Sequence, residues 1–332
     1  MSVQSVLQDV ANEIQDILGT DFQFDISATN DVPGFEDRAL TFGMGQSKRA
    51  KVLETCVLFV DIRNSTQLNL RHKPVTLGRL YTAFTKAMIT VADFHGGKVR
   101  NIIGDRIMVV FPKQACFTSA VHCAITMNMA AQQINRGFRA NDFRCGIGID
   151  YGQMFVLKTG LYRRGEERNT NRNLVWLGKP ANIASKLTDL ANKELKQSKV
   201  KVAYQSALSL LGRPLGASRK YAQPLVNPLF SGVQDQSFTF KNELEPVEFV
   251  KQLTWSAETK TIRYKPGQLQ SFSVKETTLN TAPILITQAV WEGYRSHNGN
   301  ANDVVQKWWK IQELSIPDYS GQVYGADLQW VS

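Results

Sequence analysis

Apolar and polar positions along the chain alternate between two rhythms. Val3, Val6, Leu7, Val10, Ile14, Ile17 and Leu18 recur three and four residues apart and predict an amphipathic helix with an acidic opposite face. The same spacing returns over 75–94, where Leu77, Leu80, Tyr81, Phe84, Met88 and Val91 form the stripe and Gly96-Gly97 ends it. Residues 115–137 carry Ala120, Val121, Ala124, Ile125, Met127 and Ile134 on a further helix, and 179–191 read as another. Between these lie short β-branched runs. Val57 to Val60 is one, and the two arms of 99–112 around Gly104-Asp105 predict a tight hairpin. Phe143 to Tyr151 and Met154 to Leu157 predict two strands turning at Gly152, and Val200 to Ala203 another strand before a helix at 206–211.

This β-α-β-β-α-β-β order predicts an α+β fold, a ferredoxin-like palm with helices on one sheet face, an N-terminal helix and a C-terminal mixed extension. Residues 212–235, rich in Gly, Pro and Ser, read as a connector. Beyond it, 237–241, 247–253 and 261–265 read as strands and 284–295 as a helix. Five of the six tryptophans lie there (Trp255, Trp291, Trp308, Trp309, Trp330), which argues for packed structure rather than a disordered tail. The expected organisation is an N-terminal helix and lead-in (1–50), a central domain (51–211), the connector, and an extension (236–332) to which the sequence gives no chemistry.

Composition narrows the class. A chain of 332 residues with 43% hydrophobic and 20% charged content has length for a sizeable core and no apolar run near 18 residues, so no transmembrane helix is expected. No Lys or Arg precedes Arg38, which argues against a signal peptide, and the acidic face of the first helix favours docking on this chain or a twin over a membrane. Cys56 and Cys145 fall in core strands and Cys116 and Cys123 on one helix. With no CxxC pair they read as free thiols of a reducing cytoplasm, and the four scattered histidines make no zinc pattern. The net charge of +10 gathers at Lys48, Arg49 and Lys51 and at Arg163, Arg164, Arg168 and Arg172. A nucleic-acid binder would interleave aromatics with such clusters. Here Glu166 and Glu167 intervene and only Tyr162 is aromatic, so no nucleic-acid partner is expected.

Three segments carry candidate chemistry. Asp61 ends the first apolar run, followed at once by a polar turn with Ser65 and Thr66. A carboxylate there can hold a divalent cation against a polyphosphate, or cap the next helix. Asp105 sits at the tip of the predicted hairpin, where Gly-Asp also serves turn geometry alone. Two such aspartates meeting across neighbouring strands could share two cations about 3.5–4 Å apart. In GKPANIASKL (178–187), Asn182 and Lys186 stand four apart on one helical face, suited to phosphate and ribose oxygens or simply to solvent.

The order and spacing of these segments resemble the class III nucleotidyl cyclases over about residues 50 to 210. The resemblance implies that Asp61 and Asp105 are the two metal-binding aspartates, with Ile62 lending a backbone carbonyl, for two divalent cations (Mg2+ or Mn2+). It implies that Asn182 orients the ribose, while Lys186 stands where the family usually has an arginine that stabilises the transition state. A point ammonium does not reproduce that arginine's fork. Backbone N–H groups after Asp61, up to Thr66, are implied to cradle the β- and γ-phosphates. The family's base-reading positions fall on Asn101 and on Val175 or Trp176. Neither purine-reading pair is present, and the pattern resembles the Pycsar pyrimidine cyclases, which make cyclic CMP or cyclic UMP as an antiphage signal for a separate effector. The resemblance therefore implies a cytoplasmic homodimer with shared sites, taking UTP or CTP. An atypical adenylate cyclase and a degenerate nucleotide-binding regulatory domain remain as alternatives.

Overall fold

The computed structural model describes residues 2–19, 22–41, 48–138, 143–163, 166–207 and 237–330, and the side chains of all of these except 161–171, 206–207 and 237–238. In chain order, α1 (Val3–Leu18) and β1 (Phe24–Ala28) precede β2 (Lys48–Ile62), α2 (Ser65–Arg71), α3 (Pro74–Phe94) and the pair β3 (Lys98–Ile103) and β4 (Arg106–Val110). Then come α4 (Cys116–Gly137), β5 (Cys145–Arg163), β6 (Glu166–Leu177) and α5 (Lys179–Leu190). They are followed by β7 (Glu194–Ala207), β8 (Ser237–Leu244), α6 (Pro246–Lys251), β9 (Leu253–Ser256), β10 (Thr261–Tyr264) and β11 (Gln268–Asn280). The chain closes with β12 (Ile284–Thr287), α7 (Gln288–His297), α8 (Asn302–Val305), β13 (Lys310–Gln312) and β14 (Val323–Ala326).

Two units form: residues 1–193 with 281–332, and residues 194–280. In the first, the sheet runs β13-β14-β12-β5-β2-β4-β3, with β1 pairing β2 and β6 pairing β5. The segment β5-β2-β4-β3 is antiparallel throughout, and α3 and α4 make its two crossovers, which is the ferredoxin-like arrangement expected. Strand β2 is central because both its faces are apolar. Cys56, Leu58, Val60 and Ile62 pack on Leu80, Phe84 and Met88 of α3 and Val121 and Ala124 of α4, while Leu53 and Val57 face Ala184 of α5. Helix α3 ends in a Schellman motif: Gly96 takes φ +75°, with Gly97 N–H bonding Ala92 O and Gly96 N–H bonding Asp93 O. The β3–β4 turn is the two-residue Gly104-Asp105, with Gly104 at φ +60°.

Several local expectations are corrected. Helices lie on both sheet faces: α3, α4 and α7 on one, α5 on the other. Gly152 is no hairpin turn. It stands inside the continuous strand β5, paired with Thr55, and a Cβ there would lie 3.0 Å from Pro180 Cγ, so glycine serves the close approach of α5. The expected helix at 206–211 begins as strand, since β7 continues to Ala207; the rest of it and the connector 212–235 lie outside the described residues. Residues 247–253 are mostly helix α6, started by Pro246 at its first turn. Ile284 to Thr287 form the fully buried β12, whose Ile284, Leu285 and Ile286 pair parallel with β5, and helix begins only at Gln288.

The division of the chain also differs from the expected one. Residues 281–326 are not a separate extension, because β12, β14 and β13 complete the first unit's sheet and Trp291, Tyr294 and Trp309 fill its core. The chain leaves and re-enters this unit at adjacent points, Lys193 N–H bonding Thr281 Oγ1 and Thr281 N–H bonding Lys193 O, both at 2.9 Å. Such a junction admits an inserted unit without disturbing the sheet. The inserted unit holds the three-stranded sheet β11-β7-β8 and the β9–β10 hairpin, with Val200, Val202, Phe249 and Tyr264 as its core. All four cysteines are free and buried, and α1 lies with its whole apolar stripe exposed.

Candidate active site

Asp61 is the residue at which β2 leaves the core. Its side chain is 14% exposed and pairs in register with Arg106 of β4 and Gly146 of β5. Two guanidiniums converge on one of its oxygens: Oδ2 accepts from Arg63 Nη2 at 3.0 Å and from Arg106 Nη2 at 2.9 Å. Arg63 stands two residues on, buried where Gly146 leaves room (a Cβ there would lie 2.9 Å from its Nε), and its Nη1 donates to Asp189 O at 3.3 Å. Arg106 reaches further, donating to Ser185 Oγ at 2.8 Å and to the Asp189 carboxylate, both on α5.

The charges follow. Burial pushes the Asp61 carboxyl above the usual range and Asp105 adds to the push, against the opposing pull of Arg106 and Arg63. Burial alone would lower Arg106, but its bonds to Asp61 and Asp189 outweigh that and raise it. Asp105, at the hairpin tip, also raises the Tyr81 phenol on α3 together with Asp61, after burial. Two carboxylates thus share one end of the sheet, and Asp61 already gathers positive charge.

After Asp61 the chain turns sharply. Arg63 N–H bonds Arg144 O at 2.8 Å, Asn64 takes φ 56°, and the first bonds of α2 run from Gln67 and Leu68 to Asn64 O. The N–H groups of Ser65 and Thr66 therefore precede the helical ladder. On the same sheet face α5 lies close over β5. A Cβ on Gly148 would meet Ala184 O at 2.4 Å and Thr188 N at 2.5 Å, and Thr188 Oγ1 donates to Phe59 O. Asn182 is exposed on α5, and Lys186 Nζ donates to Pro317 O and Asp318 Oδ2, both at 2.9 Å. Lys186 in turn holds the Asp318 carboxyl below its usual range. Asn101 is exposed on β3 opposite Met108, whose cluster with Leu53, Val57, Val110 and Met154 also receives Trp176 of β6. The Trp176 indole N–H is buried without a partner among the described residues.

Residues 48–214 match the family model described as the Adenylate and Guanylate cyclase catalytic domain. The chain belongs to this family. A uridylate cyclase of Burkholderia cepacia is 32% identical over 193 residues, covering 55% of this chain and 79% of that protein. A uridylate cyclase of Gulbenkiania mobilis is 28% identical over 179 residues, covering 50% of this chain and 65% of that protein. A crystal structure of an adenylyl cyclase from P. aeruginosa matches 83% of this chain and 94% of its own, at 14% identity and a TM-score of 0.45.

For this cyclase the structure gathers Asp61, Ile62 and Asp105 at one end of the sheet and places Asn182 and Lys186 on α5 over the same face. It does not bring Asn182 to the Asp61 end. Asn182 lies seven residues before Asp189, about 10 Å along the helix. Asn101 and Trp176 border a shared apolar patch, and Thr66 is exposed in the first turn of α2. Among the described residues no three His, Cys, Asp or Glu groups cluster as a metal site. The donor chemistry nonetheless fits hard cations: Asp61 and Asp105 supply carboxylate oxygens, and the two guanidiniums on Asp61 show that positive charge is held there. Among the described residues no helix is long and apolar enough to cross a membrane.

Sequence reasoning missed Arg63, Arg106, Ser185, Asp189 and Asp318. Arg63 had a signal, since it stands two residues from Asp61 in a strand-end segment where side chains alternate. Arg106 directly follows Asp105 and is the register partner of Asp61. The other three carry none, because their partners are 79 to 132 residues away in the chain.

Proposed function

We propose that this cyclase converts a pyrimidine nucleoside triphosphate, UTP or CTP, to its 3′,5′-cyclic monophosphate and pyrophosphate. The names of the Burkholderia and Gulbenkiania relatives carry the pyrimidine choice. The side chain of Asn101 supports it, because an amide offers both donor and acceptor to cytosine or uracil. The orphaned Trp176 N–H adds to that support. A buried donor without a partner is costly, and a base carbonyl oxygen would satisfy it.

In this reading Asp61, Asp105 and the Ile62 carbonyl would hold two divalent cations, which would supply Lewis-acid charge stabilisation at the reacting phosphate. The ribose 3′-hydroxyl gives its proton to solvent as its oxygen attacks the α-phosphorus in line, the bond from that phosphorus to the bridging β-phosphate oxygen breaks, and pyrophosphate leaves with that oxygen. Asn182 fixes the ribose, and the Lys186 ammonium, released from Asp318, offsets charge on the α-phosphate. The N–H groups of Ser65 and Thr66 face the β- and γ-phosphates. The distance along α5 between Asn182 and the Asp61 end favours a two-fold homodimer in which each site takes its aspartates from one subunit and its Asn182 and Lys186 from the other. The product would serve as an antiphage signal to a separate effector in the cytoplasm.

The test is a competition among ATP, GTP, CTP and UTP at equal concentration with Mn2+, with products identified by mass spectrometry. Cyclic UMP or cyclic CMP should dominate. A mixture led by cyclic AMP would sink the pyrimidine assignment and favour an atypical adenylate cyclase. Nucleotide binding without any cyclic product would favour a regulatory domain instead.

A further inference from the structure

Arg106 bonds three groups, and of these only Asp61 enters the cyclisation chemistry above. Its guanidinium joins the Asp61 carboxylate on β2 to Ser185 Oγ and the Asp189 carboxylate on α5. Arginine does not lose its proton in proteins, so this charge leaves Asp61 only by moving. Asp61 Oδ2 is already bridged by two guanidiniums, and a divalent cation brought to that carboxylate would face both at contact distance. One must withdraw, and the two are unequal. The Arg63 side chain is 4% exposed and held on Asp189 O, with Gly146 at its back. The Arg106 side chain is 27% exposed and already owns a second set of partners on α5.

We propose that Arg106 is the resident counter-cation of Asp61, and that a divalent cation displaces it onto Ser185 and Asp189 of α5. This rests on the reading of Asp61 as a metal carboxylate. Arg106 acts through Asp61 and is a positioning residue. It keeps a buried carboxylate compensated while the cation is absent, then ties cation binding to the helix that carries Asn182 and Lys186. By linkage, whatever strengthens the hold of Arg106 on α5 strengthens cation binding, and whatever weakens that hold weakens it.

The experiment measures Mn2+ binding to the nucleotide-free full chain by electron paramagnetic resonance, with folding checked by circular dichroism. Arg106→Gln should bind Mn2+ roughly fivefold or more tightly than the wild type, the lower end of ordinary coupling between sites. Arg106→Lys, which keeps the charge, should return towards wild-type affinity. Ser185→Ala removes only a neutral anchor on α5, so it should weaken binding several-fold, where a simple change of local charge would leave it unchanged. Wild-type affinity in both Arg106→Gln and Ser185→Ala would overturn the displacement while leaving the metal reading intact, provided Asp61→Asn abolishes binding. Absence of Mn2+ binding in the wild type and in Arg106→Gln alike would overturn the metal reading itself and the displacement with it. Should Arg106→Gln fail to fold, Ser185→Ala decides alone, and wild-type affinity there overturns the proposal.

Discussion

At Gly148 the cyclase sheet and α5 are in close contact, and a single methyl there should disable the enzyme. A Cβ at this position would stand 2.4 Å from Ala184 O, 2.5 Å from Thr188 N and 2.7 Å from Leu187 Cβ. These atoms belong to the helix backbone or its first side-chain carbons, so no rotamer change relieves the clash. Restoring ordinary contact requires α5 to retreat by about 1 Å, which overpacking data price at about 1–3 kcal/mol. For a unit of this size that is a melting shift of roughly 2–12 °C. The same retreat stretches the bonds from Thr188 Oγ1 to Phe59 O and from Arg106 to Ser185, and it carries Asn182 and Lys186 with it. A misplacement of about 1 Å can cost on the order of a hundredfold in rate. The assay pairs a thermal melt with steady-state turnover for Gly148→Ala, with Gly78→Ala as the contrast. Gly78 lies on the exposed face of α3 with nothing within 4 Å of its would-be Cβ, and its substitution should stabilise by about 0.5–1 kcal/mol. A Gly148→Ala protein with wild-type melting and turnover would refute the claim that α5 is held at contact distance.

Two further outcomes are expected. Asp61→Ala and Asn182→Ala should each be inactive alone, and co-refolding the two should restore about a quarter of wild-type activity through mixed dimers that keep one intact site; mixed dimers that form yet stay inactive would remove the shared-site arrangement. Stability should fall as the pH drops below the ordinary imidazole range. His95 is held below its usual value by burial and by His122, and His122 by burial against an opposing Asp303, with Thr126, Tyr294 and Trp330 as their other neighbours. Because both folded-state values are depressed, the stabilisation is complete above about pH 6.5 and is lost as the folded form is forced to take protons. Melts between pH 7.5 and 5.5 check this, and the double variant His95→Asn, His122→Asn should flatten the dependence; an equal slope in both proteins would contradict it.

The sequence by itself determined the catalytic core's elements and the residues that carry its resemblance. Local signals sufficed for these: β2 announces itself by the unbroken apolar run Val57 to Val60, α3 by its 3.6-residue stripe and Gly96-Gly97, the β3–β4 turn by Gly104-Asp105. Where local signals misled, a distant surface had decided. Gly152 reads as a turn because glycine usually marks one, yet here it makes room for Pro180. Ile284 to Thr287 fit a helical stripe as well as a strand, and only pairing with β5, some 137 residues earlier in the chain, settles them as strand. The inserted unit was invisible for the same reason, since the bond between Lys193 and Thr281 spans 88 residues. Tertiary structure alone joined Arg106 to α5 and Lys186 to Asp318, because electrostatic and hydrogen-bond partners are chosen by proximity in space, which periodicity along the chain does not encode.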